Sequence, residues 1–192
     1  AERLMSSGHY YKGGKKPIFA AVRFGNVMGS RGSVIPLFKQ QILENKKITL
    51  TDPNMSRFMM SITQAVDLVL KATEYAQGGD IFVLKMPVLN LKDLAEVVIE
   101  ETRKKFSLPL DEEIKIETIG LRPGEKMYEE LMTKEEAMRA EELDEMFRIY
   151  PFVKSFPELN KPDISEYSTD SSKVQALNKE ELRELILSDN LI

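Results

Sequence analysis

Apolar positions along the chain follow two rhythms, and their alternation predicts the elements. Residues 18–24 are apolar apart from Arg23 and Gly25 just beyond, the pattern of a strand buried on both faces. Val34, Leu37, Phe38 and Ile42 recur near helical spacing across residues 33–45. Residues 48–51 predict a short strand. Ile62, Ala65, Val66, Val69 and Leu70 mark a helix, and Gly78 with Gly79 is a fitting terminator. Residues 81–85 read as a further strand. Asn90 then caps a helix whose apolar stripe is Leu91, Leu94, Ala95, Val98 and Ile99, with Arg103, Lys104 and Lys105 at its dipole-negative end.

The last third is more polar. Ile114, Ile116 and Thr118 alternate with charged residues, predicting a half-exposed strand. Thr133 and Glu136 stand at capping-box spacing before a charged helix expected to run through Leu143. Residues 147–150 predict a short strand and residues 151–172 a long surface loop. Asn178 and Glu181 open a final helix with Leu182, Leu185 and Ile186 on one face. Strands alternating with helices make the class α/β or α+β. The start differs in kind: residues 1–5 read as the end of a helix without a cap, and residues 6–16 as a polar, glycine-rich loop. A piece of a larger protein is the expectation.

Composition narrows the chemistry. The 192 residues suffice for one domain with its own core. The chain has no cysteine, which excludes disulfides, cysteine–zinc sites, iron–sulfur clusters and thiol catalysis. A single histidine, His9, excludes a multi-histidine centre, so no metal is expected, and His9 itself reads as an exposed loop residue. A net charge of -4 argues against a surface that coats nucleic acid. No apolar run approaches the roughly 20 residues of a membrane helix and no signal-peptide pattern is seen, so a cytoplasmic protein is expected.

Two motifs mislead. Gly25, Gly29 and Gly32 lie between a predicted strand and a helix, but their spacing is not that of a dinucleotide fingerprint, and no strand ending in an acidic residue follows at the right distance. They read either as a flexible crossover or as a loop where Gly29 and Gly32 let backbone amides approach a substrate. Tyr11 and Lys15 match the Tyr-x-x-x-Lys spacing of a short-chain dehydrogenase. Gly13 and Gly14 lie between them and Pro17 follows, so a shared helical face is not expected.

Three arginines sit in apolar or turn-like settings: Arg23 in a strand, Arg57 within Met55–Met60, and Arg122 opening Arg122-Pro123-Gly124-Glu125. Each can serve an internal ion pair, a solvated surface or a ligand anion, because the guanidinium fork suits carboxylate and phosphate alike. Arg122 and Glu125 are expected at the carboxyl end of a strand, with Glu125 starting the next helix. Open α/β folds bind ligands there.

Three ordered stretches carry a resemblance: VRFGNVMGSRGSVIPLF at residues 22–38, ITLTDPNMSRFMM at 48–60 and LRPGEKMYEEL at 121–131. Together they resemble the polysaccharide-biosynthesis branch of the extended short-chain dehydrogenase/reductase family, which includes UDP-N-acetylglucosamine 4,6-dehydratases. The resemblance spans nearly the whole chain. It implies an α/β fold, namely the C-terminal part of a Rossmann-like enzyme with its small mixed substrate-binding subdomain. Residues 1–192 would then be the sugar-nucleotide-binding portion, beginning just after the Tyr-x-x-x-Lys helix, with the dinucleotide-binding portion and catalytic residues outside it.

Position by position, the resemblance assigns substrate contacts to Asn26 (diphosphate or sugar), Val34 and Thr51 (uracil and ribose), Arg57 and Arg122 (diphosphate), and Glu125 (ribose hydroxyls). It places Val27 and Arg31 on the nicotinamide side. The implied reaction moves hydride from sugar C4 to the cofactor, eliminates water across C5 and C6, and returns hydride to C6. NADP or NAD serves the parent protein and is not expected to bind this chain alone, which is expected to be inactive. A UDP-sugar partner and a homo-oligomer complete the expectation. An epimerase, a reductase or a non-catalytic nucleotide-sensing module remain open alternatives at this point.

Overall fold

In the computed structural model, which describes residues 1–30, 32–152 and 170–192, the first half of the chain forms α1 (Glu2–Tyr11), β1 (Ala21–Arg23), β2 (Asn26–Val27), α2 (Val34–Asn45), β3 (Lys47–Leu50), β4 (Ser56–Met60), α3 (Ile62–Tyr75) and β5 (Ile81–Leu84). The second half forms β6 (Val88–Asn90), α4 (Leu91–Phe106), β7 (Lys115–Thr118), α5 (Lys134–Ala137), β8 (Ala140–Glu142), β9 (Met146–Ile149) and α6 (Lys179–Ser188). Parallel and antiparallel pairings both occur, and helices cover them, so the class is α/β. The chain divides into two units. One comprises residues 1–25, 63–86 and 130–170, the other residues 26–62, 87–129 and 171–192.

The first unit is a four-stranded sheet ordered β1-β5-β9-β8. β1 runs parallel to β5, while β9 is antiparallel to both β5 and β8. Ile81, Val83, Met132, Ala137, Ala140, Phe147 and Ile149 form its core. Here three expectations fail. The strand predicted at residues 18–24 shrinks to three half-buried residues, with β1 at the sheet edge and β5 its single neighbour among the described residues; Ile18 stays 55% exposed. The charged helix expected through Leu143 lasts one turn, although its capping box is formed. Ala140 pairs with Ile149 instead, and ladder pairing in β8 overrides the local helical preference. The loop expected at residues 6–16 is helical as far as Tyr11. This seats His9 half-buried against Gly78, where a side chain would collide with the imidazole. Tyr11 ends α1 and Lys15 lies beyond it, so the two do not share a helical face.

α3 forms where its apolar stripe predicts, yet Ile62, Val66, Val69 and Leu70 are exposed, and Leu68 and Ala72 are the buried positions. Arg23 is absorbed internally. Its guanidinium donates to both oxygens of Glu2 (2.7 and 2.8 Å), to both oxygens of Glu136 (2.6 and 2.9 Å) and to the carbonyl of Leu131. The hydrogen bonds from Arg23 hold the Glu136 carboxyl down at about 2, and they lower that of Glu2 as well. Because these folded-state values lie below the unfolded ones, the pairing stabilises the chain fully above the ordinary carboxylate range and loses that contribution as the pH falls. The urea midpoint should thus decline from about pH 5 toward pH 2, and in Glu136→Gln the decline should be shallower. Parallel curves for the two proteins would contradict this role.

The second unit holds a three-stranded sheet ordered β2-β4-β6 and a parallel pair, β3-β7. α2, α4 and α6 pack around a core that includes Ile35, Phe38, Ile42, Ile48, Leu50, Leu94, Val98, Leu182 and Ile186. Asn90 caps α4 through its side-chain oxygen, and Asn178 with Glu181 completes a capping box on α6, both as the sequence predicts. β2, β4 and β6 have no counterpart among the predicted elements; they are two to five residues long, too short for a period to show. Most of the loop expected at residues 151–172 lies outside the described residues.

Candidate functional site

Six of the sequence-predicted residues lie at two structural features of the second unit. The first is the carboxyl end of the parallel pair β3-β7. Leu50 stands opposite Thr118 in register, and the Ile119 amide donates to the Leu50 carbonyl. Thr51 therefore follows directly at the end of one strand, and the turn carrying Arg122 follows at the end of the other. That turn is closed by its own residues: the Glu125 amide donates to the Arg122 carbonyl, and the Arg122 amide donates to Glu125 Oε2 at 3.1 Å. Gly124 adopts φ +90, a conformation that favours glycine. No helix follows, so the expectation that Glu125 starts one is corrected; Pro123-Gly124 and the capping carboxylate commit the chain to a turn. Arg122 and Glu125 are both exposed.

The second feature is the fork between β2 and β4. Asn26 pairs with Met59 and Val27 with Met60. Arg57, its side chain 16% exposed, donates from Nη1 to the carbonyls of Ser56 (2.7 Å) and Met127 (3.3 Å) and from Nη2 to the carbonyl of Lys126 (2.7 Å). Its guanidinium thereby fastens residues 126–127, a few positions beyond Arg122, to β4. Three of its donors are occupied by backbone, so Arg57 is a brace first. The Arg122 side chain makes no hydrogen bond to any described residue.

Glu129, which sequence reasoning missed, is the centre of the fork. Its carboxylate accepts from Asn26 Nδ2 at 2.9 and 3.0 Å and from the Phe58 amide at 3.2 Å, and lies 3.7 Å from Arg57 Nε. Its own amide donates to Ser171 Oγ, which also meets Ser56 Oγ. Glu129 lies inside the 121–131 stretch, but no spacing links it to Asn26, 103 residues away.

Val34 is the first residue of α2. The preceding Ser33 makes no side-chain cap bond, and its hydroxyl is buried with no partner among the described residues. The first-turn amides of this twelve-residue helix are thus left without a side-chain cap. Gly29 has φ +70, and a side chain there would strike Leu191; Gly32 has φ +80 with open space around it. Of the two, Gly32 alone leaves room for a ligand. Arg31 lies outside the described residues. A hollow of about 480 Å³ in the first unit, lined among others by Ser6, Tyr10, Arg139 and Phe152, includes none of the predicted residues.

Comparison with known proteins places the chain. A family model described as polysaccharide biosynthesis protein matches residues 1–151. An uncharacterized membrane protein of Methanocaldococcus jannaschii is 50% identical over 97% of this chain and 54% of its own length. A UDP-glucose 4-epimerase of Rickettsia bellii is 42% identical over 90% of this chain and 50% of its own. The capsular polysaccharide biosynthesis protein CapD of Staphylococcus aureus is 50% identical over 69% of this chain and 22% of its own. The chain thus spans about half the length of the first two. Among solved structures, Pen from Bacillus thuringiensis matches the whole chain at 53% identity with a TM-score of 0.90, the chain covering 56% of that protein. No helix among the described residues is long and apolar enough to cross a membrane. On this family match, which spans more than three quarters of its length, the chain belongs to the polysaccharide biosynthesis protein family.

Proposed function

We propose that residues 1–192 form the sugar-nucleotide-binding portion of a nucleotide-sugar 4,6-dehydratase of the UDP-N-acetylglucosamine type, acting in capsule or surface-polysaccharide biosynthesis. The observation that carries this reading is the delivery of Thr51 and the Arg122 turn to one end of two parallel strands, the end at which α/β folds bind ligands. Arg122, exposed and without a side-chain hydrogen-bond partner among the described residues, offers its fork to the diphosphate. Arg57 aligns the same segment from below and contributes its remaining Nη2 hydrogen. Thr51 and Val34 flank the uridine, and Glu125 meets ribose hydroxyls. The first turn of α2, which has no side-chain cap, supplies amide donors suited to an anionic or carbonyl acceptor.

The implied reaction needs NADP or NAD, which would supply hydride acceptance and return. Val27 alone of the described residues is assigned to that group. The left-handed turn at Gly29 is filled by Leu191, so these residues do not form its phosphate cradle. In this reading the chain alone is inactive and its parent protein is a cytoplasmic homo-oligomer. A 4-epimerase is the second reading, favoured by the name of the Rickettsia bellii relative. The two differ in product, since only the dehydratase loses water from C5 and C6.

Calorimetric titration with UDP tests the binding role. The wild-type chain is expected to bind, and Arg122→Ala to bind about 10- to 100-fold more weakly, the equivalent of one or two charge-assisted hydrogen bonds. Thermal stability should be unchanged, because the side chain bonds to no described residue. Equal affinity in both proteins would refute the assignment.

A further inference from the structure

We propose that Glu129 is a positioning residue that turns the Asn26 side chain into a hydrogen-bond acceptor, so that Asn26 reads a donor on the sugar moiety, a hydroxyl or an acetamido N–H, and does not bind the diphosphate. The argument is an atom count. The Asn26 amide nitrogen has two hydrogens. One is directed at the Glu129 carboxylate (2.9 and 3.0 Å), the other at the Phe58 carbonyl (3.1 Å). Both donors are consumed inside the β2–β4 fork.

The orientation is fixed by chemistry. Three acceptor oxygens surround the nitrogen, and exchanging the two ends of the amide would press Oδ1 against all of them. Glu129 is itself held from two sides. Its carboxylate takes the Phe58 amide and neighbours the Arg57 guanidinium at 3.7 Å, and its main chain pairs with Ser171 in both directions. What Asn26 leaves over is Oδ1, which accepts nothing from the described residues, on a side chain that is half-buried. An oxygen acceptor beside a carboxylate repels phosphate and recognises O–H or N–H. Among the parts of a UDP-sugar the donors nearest in kind are on the hexose: its hydroxyls and, in an acetamido sugar, its amide. This assignment rests on the sugar-nucleotide reading above.

The test has two arms. In the first, wild type and Asn26→Ala are titrated with UDP and with UDP-N-acetylglucosamine. Wild type is expected to prefer the sugar nucleotide, and Asn26→Ala to lose about tenfold against it while its UDP affinity stays within about twofold, as for one hydrogen bond to the sugar. A parallel loss for both ligands places Asn26 on the diphosphate and overturns the proposal. In the second arm, the Asn26 side-chain NH₂ resonances are followed by ¹H–¹⁵N correlation and solvent exchange in wild type and Glu129→Gln, without ligand. Protection in wild type that falls in Glu129→Gln, where one acceptor oxygen is replaced by a donor, supports the positioning role. Equal exchange in both proteins overturns it. A wild-type chain that binds neither ligand defeats the sugar-nucleotide reading and, with it, the ligand half of the proposal, while the NMR arm still decides the orientation of Asn26.

Discussion

Asp80→Ala is expected to cost about 3–5 kcal/mol of stability, because it strands a buried arginine. Asp80 is fully buried and makes four hydrogen bonds. Oδ2 accepts from the amides of Gln77 and Gly78 at 2.7 and 2.8 Å, and Oδ1 from Arg148 Nε and Nη2 at 3.2 and 3.1 Å. Arg148 sits in β9 opposite Phe82 of β5, its guanidinium near the rings of Phe82 and Tyr150. The carboxylate thus does two jobs. It closes the turn containing Gly78 and Gly79, on which His9 of α1 rests, and it compensates the cation in the sheet. Removing it leaves both the turn amides and the guanidinium without an acceptor. The double variant Asp80→Ala/Arg148→Met should recover part of the loss, since no charge is then left uncompensated. Urea denaturation of the three proteins measures both effects. A loss of about 1 kcal/mol or less in Asp80→Ala, the size of one ordinary hydrogen bond, would mean that the buried pair contributes little.

This pair also marks where the sequence stops being readable. Asp80 follows two glycines and reads locally as part of a helix terminator; its partner is 68 residues away and carries no spacing signal. Elements whose identity is set by their own residues were legible: α2, α4 and α6 have period, caps or both. Those decided by a distant partner were not. The one-turn α5 gives way to β8 because Ala140 finds Ile149, and the short β1 pairs with one neighbour among the described residues. The apolar stripe of α3 announced a helix correctly but did not say which face would be buried, since periodicity carries phase without naming the surface that covers it. At the candidate site the same division holds. The Arg122-Pro123-Gly124-Glu125 turn was visible because its hydrogen bonds are local, whereas the Asn26–Glu129 and Arg57–Lys126 links join segments more than 60 residues apart.

The last of these links makes Arg57 separable from Arg122 by experiment. If Arg57 both braces residues 126–127 and touches the diphosphate, Arg57→Ala removes three backbone hydrogen bonds at once and frees the segment that presents Arg122. Stability should fall by about 2–3 kcal/mol, two part-buried carbonyls and one exposed carbonyl having lost a charged donor, and UDP affinity by about 100-fold or more, because the Arg122 turn is then no longer held. Arg57→Lys keeps the charge but replaces a planar fork by a single ammonium, which reaches one carbonyl at a time. It should retain the Coulombic part of binding and lose the brace, so its affinity falls between wild type and Arg57→Ala while its stability falls nearly as far as that of Arg57→Ala. Calorimetry with UDP and urea unfolding of the same two variants separate the roles. A lysine variant as stable as wild type would show that the carbonyl contacts do not hold the segment, and an alanine variant with unimpaired UDP binding would remove Arg57 from the site altogether.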